Sequence, residues 1–506
     1  MRRLSSLFAI TVAICAAGPA RAQTTTTTTP PRTPEPEPVT VPGPAPARAP
    51  QVQQAPSNAT EASLPTPSAT AASSPTDGFQ FGSYGRVRVA SDGRGGTGRQ
   101  TNVVSHGSRI DEESYAELEL RREDTFRDDI KSKVVATLAL FPPFFHFSGN
   151  AAQAIAVRNL FAQGTYGRWT LWAGARMYRG DDIYLLDWWP LHNQNTVGGG
   201  AAVKIGDATD VAAHVGMQRL DNPYQFQTIP SPNRFGVGTT DVTKLDRPRT
   251  VETLKLTHYV RHLSQANDKL GFKVIVYGEA HQLAAGAQRD TLTNVDRPLP
   301  SDSGWLLGTQ LGFWTGERDT HVNLFFRHAR GVAAYDPLST PTTFANDRTT
   351  SGSSETLVAL GANYEVGSLG VMAGAYLRFF RDGDPSPTST QKFDEGTVVV
   401  RPQVFLGEHF GIAVEGSVQA RRMAVVDPAT DSALTATVFK GGLIPYFSPS
   451  GRGAFKRPQL RLLYAVSGRD SGARALYPVD DVFAQRTVEH FIGIGAEWWF
   501  NSSSYP

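Results

Sequence analysis

The sequence predicts an all-β chain: a transmembrane antiparallel β-barrel of about 18 strands with one loop folded inward. Three observations predict it. From residue 78 onward, short segments of alternating apolar and polar residues recur, separated by Gly-, Asp-, Pro- and Ser-rich stretches. Past the extreme N-terminus no apolar run reaches the roughly 18 residues of a membrane helix, which excludes a polytopic helical transporter. The composition is rich in Gly (48) and aromatic residues (10%) but holds one Cys in 506 residues. That single Cys excludes disulfide scaffolds and zinc ribbons. The net charge of +2 gives no bias toward nucleic acid or an acidic partner.

The chain begins with Arg2 and Arg3, an apolar stretch from Leu7 to Ala17, and the small-x-small site Ala20-Arg21-Ala22. This pattern predicts a secretory signal peptide over residues 1–22. Cys15 falls inside it, and Ile14 before it argues against lipidation. Residues 23–77 are Thr-, Pro-, Ala- and Ser-rich. They lack the apolar content to offset the entropy of folding, so they read as a disordered, extended periplasmic linker. Its expected role is a spacer, or a reach toward the cell wall or a partner.

Residues 78–506 form the expected barrel domain. In Tyr115–Arg121, Ala116, Leu118 and Leu120 share one face while Tyr115, Glu117, Glu119 and Arg121 share the other. In a barrel the first face meets lipid and the second meets water. Residues 412–421 repeat the pattern, and 254–260 do so less cleanly. Strands are expected to start near residues 81, 115, 129, 158, 169, 199, 210, 251, 269, 304, 319, 354, 368, 397, 408, 435, 458 and 487. Their even number suits a closed bacterial barrel. Connections alternate between short turns, near Gly167 and Gly316, and long loops over 92–114, 220–250, 283–303 and 331–353. The last strand ends Gly495-Ala496-Glu497-Trp498-Trp499-Phe500, followed by Asn501 to Pro506.

A barrel of this size is an open channel unless something narrows it. The best candidate is 179–200, which runs from Arg179 through Asp187-Trp188-Trp189 to the glycines Gly198–Gly200. It is too apolar and aromatic for a solvated loop. It either folds inward as a constriction or only stabilises the barrel wall. Aromatic rings along a pore pack on the apolar C–H faces of sugar rings, and Arg, Asp and Glu bond their hydroxyl rims.

The chain resembles maltoporin and its sugar-specific relatives over roughly 79–500. The resemblance rests on Phe81–Arg86, Ser108–Leu118, Trp172–Tyr178 with the Asp182–Trp189 run, Arg457–Arg461, and Glu497-Trp498-Trp499. It implies an aromatic track through Tyr84, Tyr115, Phe455 and Trp499, with Trp189 in the constriction loop. It implies polar partners Arg86, Arg109, Glu117, Arg158 and Asp187, an oligosaccharide substrate and a homotrimer in outer-membrane lipid. The chain departs from the family pattern at Gly180, with Arg179 beside it, and at Leu324, which Phe325 and Phe326 follow. Phe144, Phe145 and Phe147 lie near the place of an aromatic contributed by a neighbouring subunit.

Plainer readings stand beside these. Trp498 and Trp499 must point in opposite directions; Trp499 shares a face with Glu497, which favours the lumen, although a membrane-interface girdle would also use it. Tyr84 and Tyr115 share faces with Arg86 and Glu117. Glu117 and Arg109 would serve equally as a barrel-wall ion pair. The sequence shows no nucleophile elbow, no His-Glu-x-x-His pair and no metal-ligand spacing, so neither an enzyme nor a cofactor or metal is expected. Gly95–Gly98 reads as a flexible loop. The expected function is facilitated diffusion of maltose- and maltooligosaccharide-type carbohydrates across an outer membrane. The alternatives are a general diffusion porin for small hydrophilic solutes and a barrel that merely anchors the linker.

Overall fold

Alternation with a period of two recurs eighteen times, and each recurrence forms one stave of a closed ring. The computed structural model describes residues 77–502 apart from 127–129, 143–154, 219–224, 234–235, 246, 262–269, 291, 316–319, 336–340, 342–343, 387–390 and 428–430. The expected signal peptide and linker, the turn at Gly316, and Phe144, Phe145 and Phe147 lie outside the described residues.

The first seven staves are β1 (Gly78–Ser91), β2 (Tyr115–Phe126), β3 (Ile130–Leu140), β4 (Ile155–Tyr166), β5 (Trp169–Arg179), β6 (Asn193–Ile205) and β7 (Thr209–Gln218). A loop hairpin, β8 (Phe226–Pro232) and β9 (Thr239–Leu245), precedes β10 (Arg249–Arg261) and β11 (Gly271–Leu283). A second one, β12 (Gly286–Arg289) and β13 (Asp296–Leu299), precedes β14 (Asp302–Trp314). The ring continues with β15 (His321–Gly331), β16 (Ser354–Val366), β17 (Leu369–Arg381), β18 (Phe393–Leu406), β19 (Phe410–Asp427), β20 (Ser432–Phe447), β21 (Gln459–Arg469) and β22 (Val488–Phe500). Neighbours pair antiparallel all the way round, and β22 pairs with β1, Trp499 opposite Tyr84. The result is a closed barrel of 18 strands. Closure leaves no free sheet edge, which a bilayer requires.

The two faces of each strand follow the sequence pattern. Leu118 and Leu120 are exposed on the outside, while Tyr115, Glu117 and Glu119 are buried inside. Ile412 and Val414 face out; Ala413, Glu415 and Gln419 face in. Outward aromatics including Phe79, Phe81, Phe126, Tyr166, Trp169, Phe313 and Phe500 gather at the short-turn end. They form the aromatic girdle of a membrane barrel.

Each expected strand start falls on its own stave. The largest displacement is at β6, which begins at Asn193 rather than near 199. The expected loop 179–200 is therefore shorter and ends at residue 192. Its glycine run is strand, not loop, and the reason is contact. A Cβ on Gly200 would lie 2.3 Å from the Trp172 ring, and one on Gly198 would lie 2.1 Å from the Val215 carbonyl oxygen. Glycine here lets β6 lie against its neighbours.

Inside the barrel, two connections from the long-loop end cross the lumen: residues 92–114 and 180–192. Val103 and Val104 from the first, and Ile183, Leu185, Leu186, Trp188 and Leu191 from the second, form one apolar cluster. Inward residues of the far wall complete it, among them Ile275, Leu306, Phe325, Leu357, Met372 and Tyr376. The connection between β20 and β21 folds in from the opposite end and carries Ala454 and Phe455 into the same cluster.

Candidate functional site in the lumen

The inward loop 180–192 sets the geometry. Tyr184–Leu186 form a single 3-10 turn. The Ile183 amide donates to the Trp188 carbonyl at 2.8 Å, and Asp187 takes the left-handed conformation (φ 50°) that closes the turn. Asp tolerates that region better than most residues. The wall receives the loop through small residues: a Cβ on Gly374 would sit 2.8 Å from Ile183 Cγ2. Polar ties fix both ends of the loop. Asp181 pairs with Lys273 and accepts from Gln310, and Arg327 donates to the Pro190 carbonyl at 2.8 Å.

Against the wall made by β1, β2 and β22 the loop meets a continuous line of rings. Its order is Phe141, Tyr115, Tyr84, Trp499, Tyr184, Phe455. Successive centroids lie 5.7, 6.1, 6.4, 6.3 and 5.5 Å apart. Tyr84 and Trp499 are stacked, with 15° between planes. Four of the five expected track residues, Tyr84, Tyr115, Phe455 and Trp499, thus fall on one line. Trp499 is half-buried, and the other rings are buried: Tyr84, Tyr115 and Phe141 in one cluster, Tyr184 and Phe455 in that of the inward loops. Trp498 points outward, over Gly85, and donates to Ser83.

Trp189 stands off this line. It is fully buried, with the Arg179 guanidinium 4.3 Å above its ring. Arg179, beside Gly180, connects it to the rest: it pairs with Glu117 at 3.6 Å, and Glu117 accepts from the Tyr115 hydroxyl. Its neighbour Trp188 turns the other way and stacks on His106 at 4.2 Å. At the other departure, Leu324 points outward and Phe325 is the buried, inward ring.

A charged network runs beside the rings. Arg86 pairs with Asp187 at 3.1 Å and with Glu112 at 3.4 Å. Arg109 pairs with Glu112 at 2.6 Å and Glu497 at 2.9 Å, and its guanidinium lies over Tyr184. Glu497 also holds Arg457 and Arg461 and accepts from the Tyr184 hydroxyl at 2.7 Å. Arg88 pairs with Glu112. Arg109 and Glu117 do not pair with each other; the ion pair considered from the sequence is replaced by two separate sets. Arg158, on β4, is buried beside Tyr115 and Phe141 and makes none of these ion pairs. This side of the lumen therefore carries the guanidinium groups of Arg86, Arg88, Arg109, Arg121, Arg158, Arg179, Arg457 and Arg461 and the carboxylates of Glu112, Glu117, Glu119, Asp187 and Glu497.

Burial acts on the loop carboxyls. It pushes Asp187 up to about 6, over the opposing pull of Arg86 and Arg109. It pushes Asp182 well above the usual carboxylate range, helped by the adjacent Asp181 charge. Burial also raises Asp181, but Lys273 outweighs it and holds that carboxyl low.

Sequence reasoning passed over Tyr184, Glu112, Arg457 and Arg461 as site residues. Tyr184 lay in plain view as the one hydroxylated ring in the apolar loop. Arg457 and Arg461 were part of the Arg457–Arg461 block, and their convergence on Glu497 required the β21–β22 pairing.

The family model of the LamB porin matches residues 79–500. No curated protein sequence matches the chain. Among solved structures, OccK10 (OpdN) of Pseudomonas aeruginosa is 11% identical, with 84% of this chain and 99% of that chain covered, at a TM-score of 0.41. OccAB4 of Acinetobacter baumannii is 10% identical, with 84% and 98% covered, at 0.39. The trimer form of OmpT from Vibrio cholerae is 12% identical, with 84% and 100% covered, at 0.36. These likenesses are distant.

Proposed function

The chain belongs to the LamB porin family and is an outer-membrane β-barrel channel, and from that premise we propose that it carries maltose- and maltooligosaccharide-type carbohydrates by facilitated diffusion. One observation carries the reading: six rings in line, flanked along their length by arginine–carboxylate pairs. Rings take the C–H faces of successive sugars while the charged groups exchange hydrogen bonds with their hydroxyls. In this reading Tyr84, Tyr115, Phe455 and Trp499 form the track. Arg86, Arg109, Glu117, Arg158 and Asp187 are the polar partners, and Trp189 stiffens the constriction through Arg179. All the rings but Trp499 are buried, and Tyr184 stands on the loop 180–192, so in this reading passage requires that loop to shift. Release demands weak binding, in the millimolar to micromolar range, about 4 to 8 kcal/mol. The homotrimer in outer-membrane lipid, the signal peptide 1–22 and the periplasmic linker 23–77 belong to the same proposal.

The test is single-channel recording in a planar bilayer with a maltooligosaccharide ladder. Current block that strengthens with chain length and weakens in Trp499→Ala supports the sugar track. Conductance without block by any sugar leaves a general diffusion porin.

A further inference from the structure

We propose that the solute this channel prefers is a saccharide bearing a carboxylate, and that Arg158 is the group that receives it. This rests on the saccharide track proposed above and moves its preferred solute from neutral to acidic saccharides.

The backbone supplies the first reason. Across the β3–β4 pair, Thr137 faces Asn159 and Leu138 faces Val157, which leaves Arg158 as the extra residue of a β-bulge. A bulge re-aims side chains and interrupts the ladder. Here it turns two consecutive residues, Arg158 and Asn159, to the buried inner face. Asn159 repairs the interrupted ladder: its Oδ1 accepts from the Met177 amide at 2.9 Å and its Nδ2 donates to Thr137 Oγ1 at 3.1 Å. Arg158 repairs nothing. Only 3% exposed, it has Nε and Nη2 buried without a hydrogen-bond partner among the described residues. Its Nη1 meets only the Met177 sulfur, at 3.7 Å.

The second reason is charge. Each of the carboxylates named on this side of the lumen, Glu119 with Arg121 included, is already paired with an arginine other than Arg158. Arginines outnumber carboxylates on this wall, and Arg158 is the one of the set that no carboxylate meets among the described residues. A buried cation without a counter-charge is costly to keep, so its presence calls for a partner that completes it. A sugar hydroxyl is a weak answer to a full charge. A planar carboxylate matches the guanidinium fork with two parallel bonds.

The third reason is the neighbourhood. The Tyr115 and Phe141 ring centroids lie 5.9 and 5.7 Å from the Arg158 guanidinium carbon. They stand at one end of the ring line. A sugar ring stacked there lies beside the guanidinium, and a uronic acid carries its carboxylate directly on ring carbon C5, one bond from the stacked ring.

The experiment compares block of the native, full-length channel by trigalacturonate and by maltotriose at equal, low salt. Trigalacturonate is expected to block at about tenfold lower concentration. Arg158→Gln is expected to bring the ratio of the two close to one, and Arg158→Lys, which keeps the charge, to retain most of it. Equal potency in the native channel, or a ratio unchanged in Arg158→Gln, overturns the inference. Block by maltotriose alone overturns it while the neutral-sugar reading stands. Block by neither overturns both.

Discussion

The two walls of the lumen grip the same loop by opposite means. On the β14–β18 side, Ile183, Leu185, Leu186 and Trp188 sink into apolar wall residues, and Gly361 and Gly374 make room for them. On the β1, β2 and β22 side, Tyr184 and Asp187 meet arginines and carboxylates. Apolar burial is non-directional and holds the loop down. The charged wall fixes atoms at defined positions, at the cost of desolvating every group in it. The difference assigns the walls their tasks: one anchors the loop, the other sets the positions of its polar atoms.

The largest effect should come from breaking the charged wall at its centre. Glu497→Gln strips Arg109, Arg457 and Arg461 of their shared carboxylate and should cost about 3–5 kcal/mol, read as a lower urea midpoint of the folded barrel in lipid. Leu185→Ala attacks the anchoring wall instead. It should cost about 2–4 kcal/mol and, by loosening the loop, raise both single-channel conductance and its noise. An unchanged conductance would show that the apolar grip is not what holds the loop across the lumen.

A milder test sharpens the comparison through pH. With its carboxyl pushed up to about 6, Asp187 is neutral at pH 5 and charged at pH 7. Acidification thus frees Arg86 of one partner and makes the charged wall more positive. Reversal potentials across a KCl gradient should shift toward anion selectivity between pH 7 and 5, and the shift should vanish in Asp187→Asn. Because the folded value lies above the ordinary one, this proton favours the folded state, and its contribution fades as pH rises through about 6. The smallest effect belongs to neither wall. The Arg99–Asp481 pair is solvent-exposed at the loop end. Arg99→Ala should cost no more than about 0.5 kcal/mol, and a larger loss would mean the loops carry more stability than the lumen contacts indicate.

The barrel was legible because its signal repeats. A period of two, written eighteen times, survives an error at any one stave, and the largest displacement is at β6, where three glycines imitate a loop. The site was legible at single positions but not in its joins. Tyr84 and Arg86 share a face by simple alternation, yet Arg158 and Asn159 share one only because of a bulge, and alternation assigns them to opposite faces. Phe455 sits on a connection rather than a strand, so no periodicity locates it. Trp189 looked like a pore ring because it is aromatic and in the right loop. That Arg179 lies over its ring depends on where β5 and the loop end meet in space.

The pairing of β1 with β22 has a consequence for assembly. Residues 83–91 find their partners in 492–500, some four hundred positions later, and every intervening stave must be in place before that seam can zip. Contacts of such separation form last, because the ordering entropy of the whole ring precedes them. The seam is also where Tyr84 meets Trp499 and where Arg109 reaches Glu497. The closing of the barrel and the joining of this cluster of rings and charges are therefore completed in the same event.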